Sequence, residues 1–495
     1  MAQLYTRLAR RFAPDTVSPI SRREVLRASL IAGSGLLLSG PLGGLTRRPA
    51  LAGKRIVIVG AGFAGLACGY ELKAAGYDVT LIDARTRVGG RVLSFNKSFS
   101  EFVPGKNVEG GAELIGSNHP TWVAYADKFG LEFLDVTEDE ELSAPVILGG
   151  KRLSDEEAEE LYKEIEEACH SMNDAAREIN ADEPWKSKDA ESLDKKNLQQ
   201  WIDGLAVGDL GKKGLSLTLS ADNGVEASRQ SYLGNLAMIK GGGLEKFWSD
   251  SEVYRCKGGN EQLAHKLAEQ IGADRIVLGL PVTEITQKGT GMIVSCKDGR
   301  TLECDDVVLA VAPTVWNRIK VAIPGGLAPQ MGSNVKYLSR VKKAFWLDGK
   351  LSPWALTDEF VSMTWDATDQ QGEEGEMCLT CFSGGAASDK ARSFEPPARK
   401  EAYAAALESL YPGFNENFVE SRFMDWPGDQ WVKASYSFPA PGQVTAHGPT
   451  LRNGLGKLHF AGEHCCYQFV GFMEGALHSG VSLAKRLAVR DGAAK

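Results

Sequence analysis

The sequence predicts a mixed α/β fold whose core is a Rossmann-like dinucleotide-binding unit. An apolar run at residues 56–59 leads into the turn Gly60-Ala61-Gly62-Phe63-Ala64-Gly65, and a helix-forming run covers residues 66–75. A second apolar run, residues 79–82, then ends on Asp83. Strand, glycine turn, helix and strand in this order form a βαβ unit, which favours a parallel sheet.

Apolar patterns later in the chain predict the further elements. Residues 154–180 carry apolar side chains at helical spacing, and Pro184 marks the end of that helix. More helices are expected over residues 193–205 and 226–247. Strands are expected at residues 276–278, 282–285, 292–296, 307–311 and 457–461, with a hairpin turn at Asp298-Gly299 and a last helix from about Gly471.

The glycine turn predicts a binding site for a nucleotide pyrophosphate. Backbone N–H groups at a helix N-terminus attract phosphate, and the three glycines allow a tight turn and close approach of the backbone. Asp83 then offers its carboxylate to a ribose hydroxyl. A GxGxxG pattern alone is weak, so the prediction depends on the strand before it and the helix after it. The residues expected to line this part of the site are Gly60, Gly62, Phe63, Ala64, Gly65, Asp83 and Ala84.

Length and charge limit the classes of function. With 495 residues, of which 43% are hydrophobic, the chain can form two or three domains. Beyond the N-terminus, no stretch approaches the roughly 20 apolar residues of a membrane span, so no stable membrane insertion is expected. Residues 53–495 carry 48 basic and 62 acidic side chains, a net charge of about −14. Nucleic acid and anionic membranes are therefore unsuitable partners.

The first 52 residues have the pattern of a twin-arginine signal peptide. Ser21-Arg22-Arg23-Glu24-Val25-Leu26-Arg27 precedes a weakly apolar stretch and the A-x-A site Ala50-Leu51-Ala52. The expected partner is the twin-arginine export machinery, and the expected location is the periplasm or the medium. This route carries folded proteins, which suits a chain that takes up its cofactor before export. A basic tail without a targeting role is the alternative.

The nine cysteines form no disulfide framework, because their number is odd and their spacing irregular. The only CxxC, Cys378 to Cys381, lies in a strand-like run without a second pair or a histidine cluster. We therefore expect no metal or redox site there. We expect instead that both cysteines are half-buried on a strand.

Two distant motifs give the chain a family resemblance. Arg87-Val88-Gly89-Gly90-Arg91 follows the first βαβ unit, and about 370 residues later come Phe460-Ala461-Gly462-Glu463-His464 and Gly471-Phe472-Met473-Glu474-Gly475-Ala476. With these motifs the chain resembles the FAD-dependent amine oxidases, which include monoamine, polyamine and L-amino-acid oxidases, over most of residues 53–490. The resemblance implies FAD as cofactor. No cysteine occupies the segment where mitochondrial monoamine oxidases attach flavin, so non-covalent FAD is expected.

The resemblance also implies two interleaved domains. The FAD-binding domain is expected to comprise residues 53–138, 252–320 and 448–490, and the substrate domain residues 139–251 and 321–447. Val282 corresponds to the residue whose backbone meets the adenine, and Glu463 to one that binds the ribityl or pyrophosphate region. The N-terminus of the last helix, at Met473, would oppose negative charge on the reduced flavin. The remaining residues that the resemblance places at FAD are Gly89, Gly90, Arg91, Gly111, Ala112, Glu113, Leu114 and Gly462.

Three residues correspond to catalytic positions of the family. Lys336 matches the lysine that holds a water against flavin N5, where a fixed cation favours oxygen as acceptor. Lys342 and Lys343 lie close by and compete for that assignment. Tyr436 and Phe472 correspond to the paired aromatic walls that flank the substrate amine. Matching Tyr436 requires a one-residue gap, and without that gap Ser435 takes the position.

The residue at position 114 bears on the substrate class. L-amino-acid oxidases of this family place an arginine there for the substrate carboxylate, whereas this chain has Leu114 preceded by Glu113. We therefore predict oxidation of a primary or secondary amine by oxygen to an imine and hydrogen peroxide. An L-amino-acid oxidase is the alternative if Arg229 or Arg340 substitutes, and a desaturase, isomerase or non-oxidase flavoprotein is the alternative from another class. A homodimer is left open.

Overall fold

The computed structural model describes residues 2–13, 53–137, 142–372 and 374–493. Its α-helices span Ala2–Phe12, Phe63–Ala74, Pro120–Phe129, Asp155–Ala176, Ala190–Lys195, Leu198–Asp203, Asp209–Asn223, Tyr232–Gly241, Glu245–Asp250, Glu261–Ile271, Ala386–Ser393, Pro396–Leu410, Phe414–Asn417, Gln443–Asn453 and Met473–Arg490. Its strands span Arg55–Val59, Asp78–Ile82, Ser94–Phe95, Val108–Glu109, Phe133–Asp135, Val146–Leu148, Lys151–Arg152, Tyr254–Cys256, Ile276–Val277, Val282–Lys288, Gly291–Cys296, Thr301–Cys304, Asp306–Leu309, Asn334–Val341, Ala355–Thr357, Met363–Asp366, Met377–Gly384, Phe418–Asp425 and Leu458–Phe460. The predicted α/β class is confirmed.

A parallel five-stranded sheet forms the first layer of the fold. Its strand order is Leu458–Phe460, Asp306–Leu309, Arg55–Val59, Asp78–Ile82 and Ile276–Val277, so strands distant in sequence become neighbours. The helix Phe63–Ala74, here called the nucleotide helix, packs with the helix Met473–Arg490, here called the C-terminal helix, against one face. A three-stranded antiparallel sheet covers the other face, and its hairpin turns at Asp298-Gly299 as predicted.

A seven-stranded sheet forms the second layer. All of its strands come from residues 146–152 and 334–425, inside the two segments predicted for the substrate domain. The strands of the five-stranded sheet come from all three segments predicted for the FAD domain. The domain boundaries themselves stay a prediction, and the long strand Asn334–Val341 brings the seven-stranded sheet to the site described below.

The predicted helices are present but differ in extent. The helix expected over 154–180 spans Asp155–Ala176, and Ser154 and Glu157 form a capping box at its start. The helix expected over 193–205 is two short helices, because the Asn197 side chain accepts a hydrogen bond from the Gln200 N–H and starts a second one. The helix that was expected to reach residue 247 ends earlier, at the run Gly241, Gly242 and Gly243. A glycine run favours a turn over a continued helix.

A helix also occupies part of the predicted signal peptide. The helix Ala2–Phe12, here called the N-terminal helix, buries Leu4 and Leu8 against the helical part of the second layer. The Thr6 hydroxyl donates to the Trp248 carbonyl at 2.9 Å, and Arg11 pairs with Asp155 at 2.7 Å. The twin-arginine motif and the cleavage site lie outside the described residues. Among the helices that the structure describes, none combines the length and apolar character that a membrane crossing requires.

The nine cysteines all lie in described segments and are free. Cys378 and Cys381 lie on the strand Met377–Gly384, as predicted, but both side chains are fully buried instead of half-buried. Neighbouring residues along this strand are buried alike, so both faces of the sheet are covered there.

Candidate active site

One extended cavity lies between the two layers, beside the carboxyl ends of the parallel strands. Ligands of open α/β sheets bind at this edge. All but one of the predicted site residues line it. They are Gly60, Gly62, Phe63, Ala64, Asp83, Ala84, Gly89, Gly90, Arg91, Gly111, Ala112, Glu113, Leu114, Val282, Lys336, Tyr436, Gly462, Glu463, Phe472 and Met473.

Gly65, the exception, lies behind the glycine turn. A methyl group built on Gly65 would lie 1.9 Å from the Gly60 carbonyl oxygen, far inside contact distance. Gly65 therefore acts through close packing of the nucleotide helix against the turn and does not reach the cavity, which corrects the prediction that it lines the site.

Asp83 supports the glycine turn from the next strand. Its carboxylate accepts hydrogen bonds from the Ala61 N–H and the Arg85 N–H, both at 2.7 Å. Burial raises the pKa of Asp83 and these bonds only partly oppose the shift. A carboxylate has about four acceptor positions, so Asp83 keeps capacity for a ribose hydroxyl.

Glu463 connects the two distant motifs of the sequence. Its carboxylate accepts from Arg91 Nη1 at 2.9 Å, from the Ser437 hydroxyl at 2.6 Å and from the Gly471 N–H at 3.1 Å. Burial opposes its ionisation, but the charge of Arg91 and the hydrogen bonds outweigh burial and keep the pKa of Glu463 below its ordinary value. The Arg91 guanidinium also donates to the Ser435 carbonyl at 2.7 Å. Glu463 thus fixes the turn before the C-terminal helix.

The C-terminal helix begins at the cavity. Its N-cap, Phe472, and its first residue, Met473, both line the cavity, so the first turn of the helix lies at the cavity wall. In that turn, the buried Glu474 accepts the N–H groups of Thr121 and Trp122 at 3.0 and 2.9 Å and caps the helix Pro120–Phe129. The positive end of the helix dipole therefore faces the site, as predicted for a reduced flavin.

Lys336 is buried in the cavity wall beside Glu113. Its Nζ donates to Glu113 Oε2 at 2.6 Å, and Arg255 Nε donates to Glu113 Oε1 at 2.8 Å. Burial opposes ionisation of Glu113, but the charges of Lys336 and Arg255 outweigh it and lower its pKa. Glu113 therefore adds no net negative charge beside the substrate. The competing lysines are at the surface, where Lys342 donates to the Glu416 carbonyl and Lys343 pairs with Asp348.

Tyr436 and Phe472 both present aromatic rings to the cavity. The Tyr436 hydroxyl donates a short hydrogen bond to the Asp222 carbonyl, and its ring lies against Gly471. Ser435 lines the cavity too, but its hydroxyl donates to Asn334 Oδ1 at 2.6 Å. The gapped alignment that selects Tyr436 therefore agrees with the geometry, although the role of both rings toward an amine stays a prediction.

Several lining residues had no signal in the sequence. They come from several separate segments and include Asp222, Asn223, Met238, Glu252, Met363, Trp365 and Phe382. Neither a motif nor a spacing marks any of them. Only Phe382 lies in a run, beside Cys378 to Cys381, that the sequence indicated to be a strand.

The cavity fits FAD by two independent observations. His464 is buried and lines the cavity, and neither of its ring nitrogens has a hydrogen-bond partner among the described residues. Burial lowers the pKa of His464 to about 4, so the ring is neutral at pH 7 and offers one donor and one acceptor. At the glycine turn, a methyl group built on Gly62 would meet only the Gly90 Cα, at 3.9 Å, which leaves room for a phosphate.

Neither arginine suggested as a carboxylate partner lines the cavity. Arg229 donates to Gln330 at the surface, and Arg340 pairs with Glu376 and Glu420. The structure does not bring either to the site.

A second cavity adjoins the first and shares Leu114, Glu252 and Trp365 with it. Its further charged lining residues are Arg7 and Arg10 of the N-terminal helix, Arg255, Asp366 and Asp369. Two of the three arginines that line this second cavity therefore come from the N-terminal helix.

Known proteins share this fold over most of the chain. The sequence profile of the flavin containing amine oxidoreductases matches residues 63–488. The flavin-containing amine oxidase A of Sus scrofa is 26% identical, with 87% of this chain and 84% of that protein aligned. The cyclohexylamine oxidase of Brevibacterium oxydans aligns with 88% of this chain and 99% of its own at a TM-score of 0.77 and 24% identity. A putrescine oxidase structure with bound putrescine aligns with 88% of this chain and 99% of its own, at a TM-score of 0.77 and 24% identity.

Proposed function

Because the chain belongs to the flavin-containing amine oxidoreductases, we propose that its substrate is a primary or secondary amine without an α-carboxylate. FAD-dependent oxidation of amines is the activity of the family. The observation that carries the substrate class is Leu114, an apolar side chain at the position where a carboxylate would need an arginine. Arg229 and Arg340 do not compensate, since both are engaged outside the cavity.

Bound FAD supplies the chemistry, accepting a hydride equivalent from the amine α-carbon and passing the electrons to oxygen. The protein orients the reactants. The glycine turn and His464 would hold the cofactor, and the rings of Tyr436 and Phe472 would flank and orient the amine. Lys336 holds a water and a positive charge on the cavity wall, and the C-terminal helix directs its positive end to the same space. The imine product leaves and is hydrolysed to an aldehyde or ketone.

A panel of amines and α-amino acids tests the substrate class. We expect amines to bleach the oxidised flavin spectrum anaerobically and to yield hydrogen peroxide in air. Turnover confined to α-amino acids would contradict the proposal. Flavin reduction without peroxide would indicate a desaturase or isomerase. FAD that is retained but is not reduced by any amine would indicate a non-oxidase flavoprotein.

The L-amino-acid oxidase stays the second candidate because of one observation. Glu113, next to Leu114, is neutralised by two cations, Lys336 and Arg255, at 2.6 and 2.8 Å. The surroundings of Leu114 therefore do not repel a carboxylate. The ratio of kcat/KM for an amine and for the matching amino acid decides between the two candidates.

Lys336→Met tests the proposed oxygen site. We expect slower reoxidation of reduced flavin by oxygen, with anaerobic reduction by the amine little changed, because the cation acts on the oxygen step. Lys342→Met is the matched control, since Lys342 directly follows the end of the strand that carries Lys336 but is exposed. Equal reoxidation rates in the two variants would remove Lys336 from the mechanism.

We also propose export through the twin-arginine route and non-covalent FAD. The motif Arg22-Arg23 and the site after Ala52 support export to the periplasm or the medium. Replacing both arginines with lysine and fractionating the cells tests it, and unchanged export would contradict it. Release of FAD on denaturation tests the cofactor linkage. A homodimer stays open, and sedimentation equilibrium decides between it and a monomer.

Cleavage after Ala52 would change the second cavity. The mature protein would lack the N-terminal helix, and with it Arg7 and Arg10, while the three acids Glu252, Asp366 and Asp369 would remain with Arg255. The cavity beside the substrate site would then become acidic, which favours entry of a cationic amine.

A further inference from the structure

We propose that Glu113, Arg255 and Trp365 are positioning residues that fix the orientation of the Lys336 ammonium and keep a positive charge beside the flavin. The proposal rests on the proposed oxygen chemistry of Lys336. It assigns roles to two residues, Arg255 and Trp365, that carry no motif. All four side chains are buried, and no local spacing in the sequence connects them.

The hydrogen bonds leave Lys336 one free donor. A lysine ammonium has three N–H groups. One points to Glu113 Oε2 at 2.6 Å and another to the Glu109 carbonyl at 3.3 Å. The Trp365 ring lies 5.4 Å from Nζ and restricts its rotation from a further side. The third N–H is therefore directed by its neighbours toward the cavity, where a bound water could accept it.

Glu113 is in turn fixed through its other oxygen. Oε1 accepts from Arg255 Nε at 2.8 Å and from Trp365 Nε1 at 2.9 Å. The carboxylate cannot rotate without breaking these bonds. Because the Glu113 side chain is only 3% exposed, water would not replace them.

Arg255 also decides the net charge of the cluster. Lys336 and Glu113 alone would form a neutral pair, with little field left to stabilise an anion. Arg255 adds a second positive charge, and its Nη1 has no hydrogen-bond partner, so the hydrogen-bonded group is net positive. The Asp366 carboxylate, whose Oδ1 accepts from the N–H and hydroxyl of Thr368 at 2.7 and 2.6 Å, acts on Arg255 only through space and offsets part of that positive charge.

The test separates the two halves of the catalytic cycle by rapid mixing of the holoenzyme. For Arg255→Gln we expect reoxidation by oxygen to slow about 10- to 100-fold, less than for loss of a group that contacts the reacting atoms, because Arg255 acts through Glu113 and Lys336. Anaerobic reduction by the amine should change no more than about twofold, because that step does not use the lysine. Arg255→Lys keeps the charge and should retain most of the oxygen rate. Trp365→Phe, which keeps an aromatic ring but removes the indole N–H, should slow the oxygen step less.

Glu109→Gln is the matched control for Glu113→Gln. Glu109 is a buried glutamate at the end of the strand Val108–Glu109, just before Glu113 in the chain, but its side chain bonds to Ser94, Asn107 and the Asn260 N–H and not to Lys336. Glu113→Gln should lower the ratio of the oxygen rate to the amine rate, and Glu109→Gln should leave that ratio unchanged. Flavin absorbance and the unfolding temperature show whether each variant is folded.

A double variant shows whether Arg255 acts through Lys336. In a Lys336→Met background, Arg255→Gln should slow reoxidation much less than it does alone, because only its contribution to the net charge remains. An additive effect would overturn the positioning role, as would equal slowing of both half-reactions by Arg255→Gln. If Lys336→Met alone leaves reoxidation unchanged, the proposed oxygen chemistry fails instead. The two failures are therefore distinguishable.

Discussion

Gly65→Ala should destabilise the protein although alanine is the better helix former. Gly65 lies in the first turn of the nucleotide helix, where helix propensity alone favours alanine by about 1 kcal/mol. The added methyl group would lie 1.9 Å from the Gly60 carbonyl oxygen, and such contacts do not fall under 3.0 Å, so the backbone must shift by about 1 Å. Overpacking of this kind costs about 1–3 kcal/mol. Because the obstacle is a backbone atom, no rotamer change relieves it.

The same shift moves the phosphate-binding turn. Loss of one charge-assisted hydrogen bond costs about 1.5–3 kcal/mol, so FAD affinity should fall about 10- to 100-fold. The assay is paired: thermal unfolding of the apoprotein and titration of that apoprotein with FAD. Gly62→Ala is the control, because its methyl group would meet only the Gly90 Cα at 3.9 Å and otherwise point into the cavity. That variant should lose FAD affinity at unchanged apoprotein stability.

The two variants therefore differ in a defined way. If Gly65→Ala unfolds at or above the temperature of the unaltered apoprotein, close packing of helix and turn does not explain the glycine. If Gly62→Ala binds FAD as before, the turn does not cradle the pyrophosphate.

Three further variants test separate parts of the structure. Burial raises the pKa of Glu474 to about 7. The protonated side chain therefore contributes about 3 kcal/mol to the stability of the fold below about pH 4.5, and this contribution is lost as pH rises to 7. In Glu474→Gln, the free energy of unfolding measured with urea should depend less on pH. Leu114→Arg should raise kcat/KM for α-amino acids relative to amines about 10- to 100-fold, since the substrate carboxylate gains a charged partner. If a substrate panel shows the same ratio of the two kcat/KM values as before, residue 114 does not lie where the substrate carboxylate would bind. Leu8→Ala removes a side chain that is 3% exposed, which costs about 2–5 kcal/mol at a packed site, so hydrogen exchange should speed up across the N-terminal helix but not in the nucleotide helix.

The local parts of the fold could be predicted because their signals are local. The turn at Gly60 to Gly65 and the acid at Asp83 lie within one βαβ unit, and that unit has the predicted order of strand, helix and strand. The capping box at Ser154 fixed the start of a long helix for the same reason. Helix ends were less predictable, because a single side chain, Asn197, was enough to divide one expected helix into two.

The charge environment of the site could not be predicted from the sequence. Glu113 and Lys336 are 223 positions apart, and Arg255 is 142 positions from Glu113. Nothing in the neighbourhood of Arg255 distinguishes it from a solvated surface arginine. The sequence alone therefore left Glu113 as an unneutralised negative charge, whereas the fold brings two cations to its two oxygens.

Glu463 explains why two motifs so distant in sequence were informative together. Its carboxylate accepts from Arg91 of the first motif, from the Gly471 N–H of the last one and from Ser437, which follows the aromatic Tyr436. One buried anion thus connects the glycine turns of the cavity wall with the segment that carries Tyr436. Because that anion would be costly to bury without these partners, a substitution in either motif should weaken the other. The motifs therefore form one structural unit, and their joint presence indicates the complete site where each alone indicates only a turn.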